Sequence, residues 1–422
     1  MRILRLSRYI YNCNYKQHSN NKSGFGRSVW DIARFSAKNN NTEFLFTYNN
    51  SGDITSEDVN LINGKKYRIL NSINFATIYN TLKSISTICK YKKSPIKKKA
   101  SVIYYNLFYG YLLRLISKYN PDIIHIHGLT HSTYPFIMAA EKSNVPFIVT
   151  LHGLNMDVTN EKIDKEFEID SISRLNSLGT YITVIGSGMK RKILETCDIK
   201  FPEKLITINH GIDYSDFNLL QDKKKIKKQL GIENKEVVLT VGSLTENKNQ
   251  KCLIEAISLM TQERLESLVV LIVGEGPQKK YLEEFIDDYG LSNNVFLLGQ
   301  KNIDELSQLY SIADLTAVLS KVEGFGRPIL ESFIFGVPVI SFEDLDAVND
   351  LYKDGCLFTM KNRAPGAVCD KIIEVLSTSI NTEKIKAHSK SKTWEAAIER
   401  YNIIYEQAIS DKNKNIKLER EL

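Results

Sequence analysis

At 422 residues the chain is too long for one ordinary hydrophobic core, so two domains are expected. Its 43% hydrophobic and 25% charged residues are globular proportions that exclude a disordered or fibrous chain, and no apolar run nears the roughly 18 residues of a membrane-spanning helix. The net charge of +7 is uneven, with 29 Lys and Arg against 16 Asp and Glu in residues 1–205 and 27 against 33 in the remainder.

The start, Met1-Arg-Ile-Leu-Arg-Leu-Ser-Arg8, lacks the long apolar stretch of a signal peptide, so a soluble protein is expected. The first half reads as strands at Ile3–Leu6, Phe44–Thr47, Ile123–His127, Phe147–Leu151, Ile182–Val184 and Ile206–Ile208, with amphipathic stretches such as Phe108–Tyr119 between them. The segment 57–100 shows no clear strand and reads as a flexible insertion. It carries Lys92-Lys93 and Lys97-Lys98-Lys99, a basic cluster suited to an anionic membrane surface or simply to a solvated loop. No nucleic-acid recognition motif accompanies it. In the second half, strands at Val237–Val241, Val269–Val273, Val295–Leu298, Leu315–Val318 and Val339–Phe342 alternate with helices at 249–261, 277–289 and 303–312. The run Lys223-Lys-Lys-Ile-Lys-Lys228 reads as a solvated helix face. Trp394, Ile398, Tyr401, Ile404 and Tyr405 recur at helical spacing in a last helix at about 391–407, and the charged tail after Ser410 is expected to be disordered.

Short apolar strands alternating with helices, twice over, give an α/β fold class with two doubly wound, Rossmann-like parallel sheets. The expected domains are 1–208, 209–390 and a crossing helix with tail at 391–422. Ligands of such sheets bind outside the carboxyl ends of the strands, so the active site is expected in the crevice the two domains face.

The chemistry concentrates in Lys321-Val-Glu-Gly-Phe-Gly-Arg-Pro-Ile-Leu-Glu331, which reads as a strand end, a glycine turn and a helix start. Gly324 and Gly326 permit close backbone approach to a ligand. Pro328 suits the first helical turn. The amides from Phe325 through Gly326 and Arg327 to Ile329 would then face an anion with the helix dipole behind them. Glu323 and Glu331, eight positions apart, bracket that cradle. A nucleotide sugar wants this layout, with amides for its diphosphate and carboxylates for its ribose and hexose hydroxyls. The plain alternative is two surface acids at a helix start.

This stretch resembles the E-x7-E motif of retaining glycosyltransferases of family 4, which have the GT-B fold. The resemblance covers about residues 1–407, is strongest over 235–342 and weakest before 120. It implies transfer of a sugar from a nucleoside-diphosphate donor to a glycan or lipid-linked glycan acceptor, with retained configuration and no metal or other cofactor. It further implies that Glu331 holds the ribose, Glu323 holds the donor sugar, and the last helix crosses back to brace the amino-terminal domain. Val241-Gly-Ser-Leu-Thr-Glu-Asn-Lys248 resembles the family's Gly-Arg-Leu-x-x-x-Lys loop, so Lys248 faces the diphosphate while Ser243 stands where the family has Arg. Gly274, in Gly-Glu-Gly-Pro, resembles a turn walling the nucleotide base. Gly24 and Gly26 resemble a glycine pair that approaches the phosphates, with Arg27 a further phosphate candidate. His152 resembles the family's histidine near the donor sugar, and Asn209-His-Gly-Ile-Asp213 an interdomain segment read as structural. His125, His127 and His131 read as strand-end groups near the crevice rather than a metal site. Asp344-Leu-Asp346 has the D-x-D form of a metal site but the wrong context for one, and it replaces the family's Gly-Gly loop.

Six scattered cysteines (13, 89, 197, 252, 356 and 369) without a C-x-x-C pair argue for a reducing compartment and against disulfides or zinc. The expected location is cytoplasmic, with peripheral contact at the inner face of the membrane. The alternatives are a GT-B nucleotide-sugar epimerase, which wants acids the first half lacks before 157, and a non-catalytic nucleotide-sugar-binding GT-B protein. A dinucleotide-dependent dehydrogenase is discounted because neither Gly24-x-Gly26-x-x-Val29 nor Gly186-x-Gly188-x-x-Arg191 completes G-x-G-x-x-G.

Overall fold

The computed structural model describes residues 1–8, 24–39, 41–47, 59–63, 104–106, 108–154, 156, 162–219, 222–323 and 325–421. The chain divides into two compact units: Met1–Ile185 with Met189–Ile208 and Ala397–Leu422, and Asn209–Ala396 with Gly186–Gly188.

The first unit holds seven parallel strands in the order β3-β2-β1-β4-β5-β6-β7. They are β1 (Arg2–Ser7), β2 (Thr42–Thr47), β3 (Val59–Asn63), β4 (Ile123–His127), β5 (Phe147–Leu151), β6 (Tyr181–Val184) and β7 (Leu205–Thr207). Register follows the apolar runs, with Leu4 opposite Phe44 and Ile124. The order reverses between β1 and β4, the position where such sheets take ligands. Strand β3 corrects the expectation of no strand in 57–100. It is an edge strand, paired only through β2 among the described residues, and an edge needs little of the hydrophobic signal that marks a buried strand. The lysine cluster of that segment, with Cys13 and Cys89, lies outside the described residues.

The second unit holds six parallel strands in the order β10-β9-β8-β11-β12-β13. These are β8 (Glu236–Val241), β9 (Leu268–Val273), β10 (Val295–Leu297), β11 (Leu315–Val318), β12 (Val339–Phe342) and β13 (Leu357–Met360). One hydrophobic core runs from Ile212 to Ile385 and includes Val237, Leu239, Val270, Leu315, Phe333 and Ile340. Here the order reverses between β8 and β11.

The last helix, Trp394–Glu421, starts in the second unit and packs within the first from Ala397 onward. In the first unit Tyr405 bonds His125 Nδ1 at 2.8 Å, Asn402 bonds Asn41 at 3.0 Å, and Asp411 accepts from Tyr181 at 3.0 Å and Lys204 at 2.8 Å. The expectation of disorder after Ser410 is therefore corrected: Asp411 is tied to two side chains of the sheet, and the backbone stays helical to Glu421. Among the described residues no helix is long and apolar enough to cross a membrane.

Candidate functional site

Strands β8 and β11, on either side of the reversal in the second sheet, each end in a loop that carries a charged residue of interest. The two loops are zipped together. Lys321 N–H donates to the Asn247 carbonyl at 2.7 Å, Val322 N–H donates to Asn247 Oδ1 at 3.0 Å, and Asn247 Nδ2 donates to the Val322 carbonyl at 3.0 Å. Asn249, at φ 57°, donates through Nδ2 to the Leu319 carbonyl at 3.2 Å. This lacing brings Lys248 onto Glu323, 75 positions away, and the two form an ion pair. Ser320 Oγ also donates to Glu323 Oε2, at 3.3 Å.

Gly326 takes a left-handed φ of 70° and caps the helix Arg327–Phe335. A Cβ there would lie 2.9 Å from both the Ala347 Cβ and the Ile329 Cδ1, so glycine is required for conformation and for space. The turn is narrower as an anion cradle than the sequence suggests. The Gly326 amide points at Glu323 Oε1 at 3.4 Å, and the Ile329 amide donates to the Gly326 carbonyl at 2.9 Å. The left-handed glycine closes the first turn with its own carbonyl, which uses an amide expected to face the ligand. Phe325 packs its ring edge-on against His210, with centroids 5.1 Å apart.

One turn into that helix, Glu331 is only 5% exposed. Arg327 Nε donates to its Oε1 at 2.7 Å, and the buried Tyr310 hydroxyl donates to its Oε2 at 2.9 Å. Burial, followed by the Glu331 charge, pushes the Tyr310 phenol well above its ordinary value, so it remains a donor. With Glu323 13% exposed at its side chain, neither acid of the motif is an open surface group. Nothing in the local sequence marks Tyr310 as a partner of Glu331; it sits on the apolar face of the helix Ile303–Ile312.

Ser243 is exposed, and its carbonyl accepts from Gln250 Nε2 at 3.1 Å. Gly274 has φ 147°, and a Cβ there would come within 1.9 Å of the Gly242 carbonyl oxygen. It therefore presses the β9 turn against the β8 turn. Asp344 pairs with Arg363 at 2.7 Å, and Arg363 also donates to the Ser320 carbonyl at 3.2 Å. Among the described residues no group of three or more His, Cys, Asp or Glu is arranged to hold a metal. Gly211 in the Asn-His-Gly segment is packed so closely that a Cβ would meet the Trp394 amide nitrogen at 2.1 Å.

In the first unit, Gly24 and Gly26 lie in the first turn of the helix Gly24–Lys38, and Arg27 faces Asp31 at 3.7 Å. His152, at the end of β5, receives the Phe25 ring edge-on at 4.9 Å and pairs its Nε2 with His127 Nδ1 at 2.9 Å. Burial lowers the His152 imidazole to about 3, so it is neutral at neutral pH. The reading of His125 as a strand-end group is corrected. It lies within β4, fully buried, where it joins the bidentate Arg5–Glu43 ion pair to Tyr405 and, through Nε2, to Thr150 at 2.6 Å. Because Arg5 only donates, His125 Nδ1 accepts and its Nε2–H donates to Thr150.

Two family models match the chain, Glycosyltransferase Family 4 over residues 22–216 and Glycosyl transferases group 1 over residues 222–392. N-acetyl-alpha-D-glucosaminyl L-malate synthase of Bacillus anthracis is 25% identical over 228 residues, covering 52% of this chain and 56% of that protein. Alpha-monoglucosyldiacylglycerol synthase of Acholeplasma laidlawii is 26% identical over 268 residues, covering 60% and 67%. The match thus spans little more than half the length of the first of these relatives. A crystal structure of Anabaena HepE in complex with UDP aligns over the whole of both chains with a TM-score of 0.64 at 16% identity, a likeness of fold that is GT-B.

Proposed function

The chain belongs to the group 1 and family 4 glycosyltransferases, and from that premise we propose that it moves a hexose from a nucleoside diphosphate to an acceptor hydroxyl with retained configuration. The observation that carries this reading is the pair Glu323 and Glu331, each held by a base, on either side of the left-handed Gly326 turn at the β8–β11 reversal.

In this reading Glu331 accepts from the ribose hydroxyls and Glu323 from the donor sugar. Lys248 exchanges its ion pair with Glu323 for the diphosphate, and the dipole of the helix Arg327–Phe335 adds to the same stabilisation of developing charge. The bond from the anomeric carbon to the phosphate oxygen breaks while the acceptor oxygen bonds to the same face. The acceptor proton passes to the departing phosphate. The charge is met by protein groups, so no metal is required. Ser243 supplies a hydroxyl where a guanidinium would supply charge, which weakens donor binding. His152, neutral, serves as a hydrogen-bonding ring and not as an acid.

The acceptor is a cell-surface or lipid-linked glycan, and the protein works in the cytoplasm, touching the inner face of the membrane. Two relatives carry sugar-transferring names with unlike acceptors, a malate and a diacylglycerol. Anabaena HepE holds UDP, so uridine donors head the screen.

The test is a calorimetric screen of UDP, GDP and ADP sugars against the wild type and Glu331→Ala, followed by diphosphate release and the anomeric configuration of the product. Expected are micromolar to millimolar binding of one donor base, its loss in the variant, and release of the nucleoside diphosphate upon acceptor addition. Unchanged binding in Glu331→Ala refutes the assignment. Donor binding without diphosphate release or transfer across an acceptor panel favours a binding protein that keeps the fold without turnover.

A further inference from the structure

Glu331 is held by two donors of unlike freedom. Arg327 is one-third exposed at its side chain and reaches Oε1 from the solvent side of the helix start. Tyr310 is fully buried; its ring stacks on Phe335 at 5.8 Å with 14° between planes, and its hydroxyl lies 2.9 Å from Oε2. A carboxylate oxygen has two in-plane lone pairs. Among the described residues each Glu331 oxygen takes one donor, Arg327 on Oε1 and Tyr310 on Oε2, which leaves its second lone pair for a ligand. Two leftover lone pairs on neighbouring oxygens of a carboxylate whose plane is locked match two hydroxyls on adjacent carbons.

We propose that Tyr310 is a positioning residue that locks the Glu331 carboxylate as an acceptor for a vicinal diol, so that the site selects ribonucleoside over 2′-deoxyribonucleoside diphosphates. The proposal rests on the reading of Glu331 as the ribose-holding group. Tyr310 touches no ligand itself. A site built to bond a hydroxyl rejects the analogue lacking it, because its own polar groups are left unpaired. That rejection requires the acceptor to be held still. Without the phenol, the carboxylate turns about its side chain toward Arg327 and follows whichever hydroxyl remains.

The experiment compares UDP with 2′-deoxy-UDP, and GDP with 2′-deoxy-GDP, by calorimetry on the full chain as wild type, Tyr310→Phe and Glu331→Ala. Tyr310→Phe removes one oxygen and keeps the stacked ring, and its melting curve verifies the fold. The wild type is expected to prefer the ribonucleotide by at least about tenfold. Tyr310→Phe is expected to reduce that preference to within about threefold, raising the donor KM while kcat at saturating donor stays within about twofold. A merely structural role would lower stability and leave the ratio intact. A wild type that does not discriminate sinks the ribose reading of Glu331. A wild type that discriminates, with a Tyr310→Phe variant that discriminates equally, overturns the role of Tyr310 alone.

Discussion

At the scale of single residues, the motif acids are already neutralised before any ligand arrives. Lys248 covers Glu323, and Arg327 with Tyr310 covers Glu331. Under the proposed function an arriving diphosphate would be met by a lysine that must change partners, and the charge lost on removing it would be lost where the leaving group develops. Lys248→Ala is expected to lower kcat by about 10²-fold with a smaller change in donor KM, read from initial rates. The histidines make a separate prediction. Burial holds His125 well below the ordinary imidazole value and His152 at about 3. An unfolded imidazole titrates near about 6.5. Below that pH the unfolded chain takes up protons that the folded chain refuses, so stability present above about 6.5 is lost as pH falls toward 3. Urea midpoints are expected to drop from pH 7 to pH 4.5, with a shallower drop in His152→Gln. Midpoints that stay level would mean these rings are protonated when folded.

At the scale of elements, the last helix is attached to the first sheet by polar as well as apolar contacts. Tyr405 and Tyr401 are fully buried, and Tyr405 closes the chain Glu43–Arg5–His125. A buried ion pair is costly to break from one side, because the remaining charge stays buried. Glu43→Ala is expected to destabilise the protein by about 3–5 kcal/mol, whereas Tyr405→Phe, which removes one hydrogen bond, costs about 1 kcal/mol. Urea unfolding of both variants checks the ranking, and equal losses would show that Arg5 finds water or another acid. Strands β4, β5, β11 and β12 were legible to the residue, since apolar runs bracketed by Pro, Gly or Asn mark buried parallel strands. The edge strands β3 and β13 were not. Val59-Asn-Leu-Ile-Asn63 carries polar residues at two of five positions, and Leu357–Met360 is half-buried at its middle.

At the scale of the whole molecule, binding and folding are linked. A donor present at a hundred times its Kd adds about 2.7 kcal/mol to the stability of the unit that binds it. The melting transition is expected to rise accordingly with the preferred nucleotide and to stay in place for Glu331→Ala; turnover is expected to withstand a chelator. The family and the two-sheet architecture were readable from the chain, because hydrophobic period, turn residues and motif spacing are written between near neighbours. The partners were not. Glu323 meets a lysine 75 positions back and Glu331 a tyrosine 21 positions back, and the charged tail folds onto Tyr181 and Lys204. Those choices depend on which strands lie side by side. Only the sheet order, β8 beside β11, turns two distant loops into one site.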